Sequence, residues 1–515
     1  MNEGNWSEQI SPAPKHHLQL ILNTHNFKGI DNCQPSYHRI KQEAGVSVKN
    51  GKAIGFNTSD YPLMVSAFKH LLSKDAAGPG TAGSRPDWWW TDGALKQWDE
   101  STGVNTQPGN LFFHTHLHSN AIRYGADAAR NRPVVMGRFA GIGQHRYCCG
   151  FSGDANSSWV TLQAEVNMTK TAANVLFGYW SHDIGGFRGG SPKTGEPNPS
   201  GEMYLRWMQF GAVSPLFRTH GILGSERRPW VFDTFPLMRE AMALRATLSP
   251  LLYTLSAEAY TTAIAPVRPL YYDYPEYDTS YAEVFEYQLG ASVIVRPVVD
   301  PIANGSDSTT VQVWLPPSAN GWVDWNASTV VPPAQTPTSI VSVDATLATL
   351  PMFVKAGAVL PLMPLGALDV TVTDSIVWAL FPGAAEGGGT RYFDDGTSTE
   401  YESSGGSWQN FSYAWSEDKA SLECHIVAAE SVAAQQDVAA GNAGAESLGS
   451  TPMLYSIELR RSVGSAVPKA AAFNGVAGTI AVTKQHSLAR PAGTVVIQAA
   501  GRFPVDAAVN VTVTF

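Results

Sequence analysis

Apolar and aromatic residues in the first half of the chain fall into short runs, and each run ends in polar or charged residues. Such runs precede Asp92, Asp154 and Asp183, and a fourth run, at positions 210–217, precedes His220. A compact apolar run bounded by turn residues is typical of a buried strand in a parallel sheet. The pattern therefore predicts successive strands that present polar side chains at their C-terminal ends.

Further periodicities add strands and a helix. Leu18–His25 is apolar enough for a strand, Tyr61–Lys74 has apolar residues at helical spacing, and Pro133–Met136 predicts another strand. About six strand–helix units can be counted, whereas a (β/α)8 barrel has eight. The predicted fold class is α/β, an incomplete TIM-type barrel whose strand ends and aromatic residues suit a sugar pocket.

The second half of the chain has a different pattern of apolar and turn residues. A long helix is predicted at Phe235–Tyr260, broken at Pro250. After it, turn residues separate short strand-like runs, which include Ala291–Val295, Val311–Leu315 and Met352–Val354. Two all-β sandwich domains are therefore predicted after the barrel. The expected domains are the partial barrel at 1–262, a proximal sandwich at 263–364 and a distal sandwich at 365–515.

Composition narrows the class of partner. The chain has 515 residues, of which 44% are hydrophobic, 10% aromatic and only 15% charged, and its net charge is −9. This balance favours stacking on sugar rings and argues against nucleic acid as a partner. Four cysteines are too few for a disulfide-dense scaffold.

Targeting signals are sparse. No apolar run of about 18 residues is present, which argues against a membrane span, and the polar start lacks the apolar core of a signal peptide. Sequons that would suit a secreted protein nevertheless occur, so the localisation stays open; they include those at Asn57, Asn167, Asn304, Asn326, Asn410 and Asn510.

Four motifs occur in a fixed order along the chain: WWWTD, ending at Asp92; R-x8-Y-x6-D, from Arg138 to Asp154; WSHDIGGF, containing Asp183; and YLRWMQFGAVSPLFRTHG, containing His220. In this order they resemble glycoside hydrolase family 31, the retaining α-glucosidase and α-xylosidase family. The resemblance implies a (β/α)8 barrel with two C-terminal β-domains. It also implies that an N-terminal β-sandwich and the first two strand–helix units are missing here, so the chain is expected to be truncated.

Hydrolysis of a glycosidic bond by a retaining enzyme needs two carboxyl groups, one to attack the anomeric carbon and one to protonate the leaving oxygen. Matched motif by motif, the resemblance makes Asp92 the nucleophile and Asp154 the acid/base. The two carboxyl groups are then expected about 5–5.5 Å apart. Taken alone, Asp154 also suits a helix N-cap, because Asp is among the residues most favoured there.

Arg138, Asp183 and His220 match sugar-binding positions of the family. Arg can donate two hydrogen bonds in a fork, and a carboxylate can accept from neighbouring hydroxyl groups. Two alternatives stay open: Arg138 could form an internal salt bridge of the barrel, and His220 could be an ordinary hydrogen-bonded core residue.

Aromatic residues complete the expected pocket, with Trp90 and Trp180 as walls and Phe151 as a desolvating neighbour of the acid. One departure from the family pattern is that Gly93-Ala94-Leu95 follows the nucleophile. The period-two run His114–His118 could form a metal site on a strand. Because retaining glycosidases need no metal, neither a metal nor another cofactor is expected.

The predicted function is hydrolysis of terminal, non-reducing α-linked sugars, with an α-linked oligosaccharide or glycoside as the substrate. Transglycosylases and α-glucan lyases of the same family keep similar carboxylates, so sequence does not separate them from hydrolases. The alternative from another class is an inactive or weakly active carbohydrate-binding remnant, in which the missing barrel start has removed part of the pocket.

Overall fold

The structure is a computed structural model that divides into two compact units. Unit 1 comprises residues 1–152 with 397–399, and unit 2 comprises residues 153–396 with 400–515. The structure describes residues 21–24, 30, 32, 36–47, 52–55, 61–72, 88–92, 132, 134–138, 143–147, 149–189, 199–333, 339–366, 375–404, 406–417, 420–429, 452–460, 466–482, 487–489, 494–504 and 508–515.

Unit 1 contains a parallel sheet in the strand order β1-β2-β3-β4. Its strands and helices are β1 Ile21–Thr24, α1 Tyr37–Glu43, α2 Tyr61–Leu72, β2 Trp88–Thr91, β3 Val135–Gly137 and β4 Cys149–Phe151. The predicted early strand, helix and Trp-rich strand are confirmed within the described residues. The strand predicted at Pro133–Met136 lies slightly later in the chain, and residues 144–146, just before β4, form a turn of 3-10 helix.

Unit 2 begins with strand and helix segments and then becomes all-β. The first elements are α3 Trp159–Thr171, β5 Trp180–Ser181, α4 Gly201–Ala212, α5 Phe235–Thr247 and α6 Ser249–Thr262. The predicted break in the long helix is confirmed, since α5 ends at Thr247 and α6 begins at Ser249. Pro250 lies in the first turn of α6, where its missing N–H removes no hydrogen bond.

The strand predicted near residues 210–217 is wrong. Residues 201–212 form α4, in which every residue from Tyr204 to Ala212 is buried. A helix buried on all sides gives the same continuous apolar run as a buried strand, so the periodicity alone does not separate them. In the described stretch 213–228 that follows α4, Thr219 forms an isolated parallel bridge with Ile184 and no strand is present.

In the residues that the structure describes, the remainder of unit 2 consists mainly of antiparallel sheets, and β15 pairs in parallel with β19. Short helices of this part are α7 Asp278–Ala282 and α8 Tyr401–Ser404. The strands are β6 Val267–Arg268, β7 Tyr287–Leu289, β8 Val293–Val295, β9 Thr309–Trp314, β10 Trp322–Asp324, β11 Val330–Val331, β12 Ile340–Ala345, β13 Met352–Lys355, β14 Val359–Leu362, β15 Ser375–Leu380, β16 Glu386–Phe393, β17 Ser407–Ser416, β18 Ser421–Ala429, β19 Pro452–Leu459, β20 Ala470–Phe473, β21 Val476–Ala477, β22 Thr479–Val482, β23 Val495–Gln498, β24 Phe503–Pro504 and β25 Val509–Thr514.

These strands form face-to-face layers. The sheet β14-β15-β19-β23-β22 and the sheet β16-β17-β18-β25-β20-β21 share one apolar core. Trp378 of the first sheet contacts Phe411 of the second, with ring centroids 5.3 Å apart. Alternate residues of β25 are buried, as expected for a sheet with one wet face. In a second pair of layers, the two-stranded sheet β9-β12 packs against the sheet β11-β10-β13-β8-β7-β6. Their shared apolar core includes Trp314 and Phe353.

The all-β character predicted for the second half is thus confirmed, while the boundaries after residues 262 and 364 stay predictions. Among the residues that the structure describes, no helix is both long and apolar enough to cross a membrane. Parts of the sequence discussed above lie outside the described residues, among them Asn57, Gly93-Ala94-Leu95 and the run His114–His118.

Candidate active site

Strand register in unit 1 brings Asp92 and Arg138 together. Thr91 of β2 pairs with Gly137 of β3, so the residues that follow them emerge side by side at the C-terminal edge of the sheet. Arg138 Nε donates to Asp92 Oδ1 at 2.6 Å, and its Nη2 contacts the same oxygen. Asp92 is only 7% exposed. A buried carboxylate is therefore held by two charge-assisted contacts, which are stronger than hydrogen bonds between neutral groups.

Aromatic rings flank this ion pair within unit 1. The guanidinium carbon of Arg138 lies 5.3 Å from the centroid of the Phe151 ring, within the range of a cation–π contact. Trp90 meets Phe151 edge to face, with ring centroids 5.5 Å apart. Four of the predicted site residues, Trp90, Asp92, Arg138 and Phe151, are therefore in one cluster. The salt bridge considered as an alternative role for Arg138 exists, and its partner is Asp92 itself.

Asp154 lies in unit 2, in the loop between β4 and α3. Helix α3 begins at Trp159, and its N-cap is Ser158, whose hydroxyl accepts a hydrogen bond from Thr161 N at 3.1 Å. The alternative that Asp154 caps this helix is therefore wrong. About 33% of the Asp154 side chain is exposed, and the Nη2 atom of Arg188 lies 3.9 Å from its Oδ2.

Asp183 is the most deeply buried of the three predicted carboxylates. Its side chain is 1% exposed and forms an ion pair with the Nη2 atom of Arg218. Arg218 also donates from Nε to Ser181 Oγ at 3.2 Å, and its carbonyl accepts from Ile184 N at 3.1 Å. The sequence analysis assigned no site role to Arg218. Its role as the partner of Asp183 depends on a contact across 35 residues of chain.

His182, next to Asp183, is fully buried in its own hydrogen-bond chain. Trp207 Nε1 donates to His182 Nδ1 at 3.0 Å, so the ring proton is on Nε2, which faces Ser214 Oγ at 3.2 Å. The imidazole stacks on Phe210 with ring centroids 4.4 Å apart. Burial, and next the charge of Arg218, lower the pKa of His182 to about 3, so the ring is neutral.

The last two predicted residues each contact an aromatic ring of unit 2. His220 is half-buried, and its ring lies 5.3 Å from that of Phe187, in the loop after Asp183. Trp180 is half-buried in β5 and meets Phe177 edge to face at 5.9 Å. Because Asp92 and Asp154 belong to different units, the spacing of 5–5.5 Å between them stays a prediction.

The parallel strands of unit 1, with charged residues directly after their C-terminal ends, are the arrangement expected for part of a TIM-type barrel. Residues 14–255 match the model described as the glycosyl hydrolases family 31 TIM-barrel domain, and residues 263–360 match the glycosyl hydrolase family 31 C-terminal domain. The chain belongs to glycoside hydrolase family 31. The predicted family and the predicted fold class, a barrel followed by β-domains, are confirmed.

Curated relatives carry related activities in their names. Neutral alpha-glucosidase C of Mus musculus is 31% identical over 53% of this chain and 29% of its own length. Alpha-glucosidase 2 of Bacillus thermoamyloliquefaciens is 34% identical over 45% of this chain and 27% of its own length. An alpha-xylosidase of Saccharolobus solfataricus is 30% identical, covering 59% and 40% respectively. The matched region thus spans less than half the length of each of these relatives.

Solved structures share the fold at lower identity. A family 31 dextranase of Flavobacterium johnsoniae complexed with glucose superposes with a TM-score of 0.73 at 19% identity, covering 99% of this chain and 64% of the other. A glucosidase II alpha subunit gives a TM-score of 0.74 at 18% identity, covering 99% and 55%. At this identity the likeness concerns the fold.

Proposed function

We propose that this protein is a retaining α-glycosidase that hydrolyses a terminal, non-reducing α-linked glucose or related sugar. Family membership supports α-glycoside chemistry, and the names of the relatives include α-glucosidases and an α-xylosidase. The observation that carries the proposal is the buried Asp92–Arg138 pair at the C-terminal strand ends of unit 1, because active sites of TIM barrels lie at that face.

In the proposed first step, the Asp92 carboxylate attacks the anomeric carbon while the bond to the leaving oxygen breaks. Asp154 gives that oxygen its proton, and the product is a covalent glycosyl ester of Asp92. Arg138 orients the attacking carboxylate and balances its negative charge, and the burial of the pair limits the access of bulk water. In the second step, Asp154 takes a proton from water as the water oxygen displaces Asp92, which restores both carboxyl groups.

The partial exposure of Asp154 supports its role as the acid/base, because this group has to exchange a proton with solvent in each cycle. Asp183 and His220 are assigned to the hydroxyl groups of the bound sugar, together with the guanidinium of Arg138. Trp90, Phe151 and Trp180 are assigned to the apolar walls of the pocket, since aromatic faces suit sugar rings.

Two substitutions test the roles. Asp92→Ala should abolish turnover, and a small anion such as azide should restore part of it by attacking in place of the carboxylate. Asp154→Ala should slow hydrolysis of an unactivated α-disaccharide by about 100-fold to 10,000-fold, the range of general acid catalysis, and spare an aryl glycoside whose leaving group needs no proton.

The matched control is Asp307→Ala, which removes an exposed carboxylate in a loop of unit 2 and should leave both substrates unaffected. Equal losses on both substrates for Asp154→Ala would contradict the acid/base assignment. Full activity of Asp92→Ala would contradict the mechanism. Product analysis by NMR in the first minutes should show a released sugar of α configuration, whereas a transferred sugar or an unsaturated product would assign a transglycosylase or a lyase.

A further inference from the structure

A single arginine of unit 2 joins the loop that carries Asp154 to the loop that follows Asp183. Arg227 donates to Gly186 O from both Nε, at 2.9 Å, and Nη2, at 2.6 Å. Its Nη2 also donates to Ser157 Oγ at 2.8 Å. One guanidinium group therefore bridges two segments that are separated by about thirty residues of sequence.

Ser157 completes the bridge from the other side. Its hydroxyl donates to Gly185 O at 2.6 Å, so its oxygen is free to accept from the guanidinium group. Its backbone N–H donates to Arg188 O at 2.8 Å. Phe187 N and Arg188 N in turn donate to Ala155 O at 2.8 and 2.9 Å. Hydrogen bonds therefore connect the residues directly after Asp154 to residues 185–188.

Glycine is required where these segments meet. Gly185 and Gly186 have φ angles of +92° and +78°, a region that L side chains rarely adopt. A Cβ atom on Gly186 would lie 2.7 Å from Ser157 N, and one on Gly185 would lie 2.8 Å from the ring of Tyr204. Both carbonyl groups are therefore presented at close range to the serine and to the guanidinium group.

Arg227 is itself held in place, because Tyr204 donates from its hydroxyl to Arg227 O at 2.7 Å. Burial lowers the pKa of Arg227, while the nearby groups Tyr204, Asp183 and Glu226 act in the opposite direction. An arginine stays charged under these conditions. Its neighbour Arg228 differs, since its side chain is 62% exposed and pairs with Glu226 on the surface.

The two bridged loops are anchored unequally. The loop after β5 has the Asp183–Arg218 ion pair and the bridge from Ile184 to Thr219. Asp154, by contrast, has about 33% of its side chain exposed, and its ion pair with Arg188 is long, at 3.9 Å. Loss of the arginine bridge should therefore release the Asp154 loop more than the Asp183 loop.

We propose that Arg227, acting through Ser157, is a positioning residue that holds the Asp154 loop so that this carboxyl group reaches the glycosidic oxygen. The inference rests on the proposed function of Asp154. It assigns no contact with the substrate to Arg227. The effect of removing the bridge is confined to the proton-transfer step.

The kinetic test compares Arg227→Lys with Arg228→Lys on two substrates. Lysine keeps the charge but cannot bridge two acceptors with a planar fork. Arg227→Lys should lower kcat/KM for an unactivated α-disaccharide by about 100-fold, the cost of misplacing a group by about 1 Å, and should change that for an activated aryl glycoside by less than about 5-fold. Arg228→Lys should change neither. Equal losses of Arg227→Lys on both substrates, or no loss, would overturn the inference.

Hydrogen exchange followed by mass spectrometry provides a readout that does not depend on activity. In Arg227→Lys, amides at 155–157 and 186–188 should exchange about 10-fold faster, and those of α6 should be unchanged. Ser157→Ala, which leaves the arginine in place, should give a smaller change of the same kind and remains informative if Arg227→Lys folds poorly. Unchanged exchange in both variants would overturn the inference.

Failure of this inference is distinguishable from failure of the proposed function. A wild-type chain whose turnover does not depend on Asp154 overturns both. A normal dependence on Asp154, together with an Arg227→Lys variant that affects both substrates equally, overturns the positioning role alone.

Discussion

The loop after β4 and the loop after β5 hold their carboxylates in opposite ways. Asp183 is 1% exposed and is paired with Arg218, and the neighbouring His182 is fully buried. Asp154 has a third of its side chain in solvent, and Arg188 lies at the long distance of 3.9 Å. Both loops belong to unit 2 and both follow short strands, so the difference arises from what each carboxylate packs against.

The comparison separates two requirements of a glycosidase pocket. A buried ion pair has lost its hydration, so each charge depends on its partner and the geometry is rigid. This suits a group that accepts hydrogen bonds from sugar hydroxyls. A partly exposed carboxyl group can exchange its proton with water, which suits an acid/base. We propose that a group of the second kind is positioned through its loop, which is the role assigned to Arg227.

The largest expected effect tests the buried side of the comparison. Asp183→Asn should lower the free energy of unfolding by about 3 kcal/mol, because it leaves the largely buried Arg218 without its counter-charge. Asp154→Asn is the matched control and should change it by less than about 0.5 kcal/mol. Urea denaturation of both variants measures the difference. Similar values for the two variants would show that burial does not distinguish these loops.

The next effect concerns pH. His182 has a pKa of about 3 in the fold against 6.5 in the unfolded chain. Between those values the unfolded state binds the extra proton, so stability is lost as the pH falls below 6.5. The loss should reach about 1.4 kcal/mol per pH unit from this one group.

The measurement is urea denaturation at several pH values between 7 and 4 for the wild type and His182→Gln. The variant does not titrate at this position, so its free energy of unfolding should fall less steeply with decreasing pH. The difference in slope corresponds to one bound proton, about 1.4 kcal/mol per pH unit. Parallel curves for the two proteins would mean that the imidazole titrates normally and is not shielded in the loop after β5.

The smallest expected effect tests the exposed side. Arg188→Ala removes the distant and largely exposed partner of Asp154, and such surface pairs contribute roughly 0–1 kcal/mol. We expect a loss of stability below about 0.5 kcal/mol. High salt should not change the difference between variant and wild type measurably. A decrease in the free energy of unfolding above about 1.5 kcal/mol would mean that Asp154, like Asp183, depends strongly on its arginine partner.

Much of this architecture is readable from local sequence. Strand ends at Asp92 and Asp154, the helix break before Pro250 and the all-β second half follow from apolar runs and turn residues. The motif resemblance identified the family, which the domain models confirm. The strand expected near residues 210–217 was wrong because a fully buried helix and a buried strand share one apolar pattern.

The pairing of charges is what sequence left undecided. Arg138 was expected to bind sugar, and its contact with Asp92 follows from the register of β2 with β3. Arg218 and Arg227 received no site role in the sequence reading, because their partners lie 35 to 70 residues away in the chain.

By itself, then, the sequence determined which residue types stand at the strand ends, since turn chemistry and strand periodicity act over a few neighbouring residues. The tertiary structure decided which carboxylate is buried and which remains in water. It also selected a neutral, singly protonated form for His182, since Trp207 and Ser214 occupy its two nitrogens. Burial and hydrogen-bond geometry depend on distant segments that meet only in the fold, and they determine how each of these groups behaves as a charge or as a proton donor.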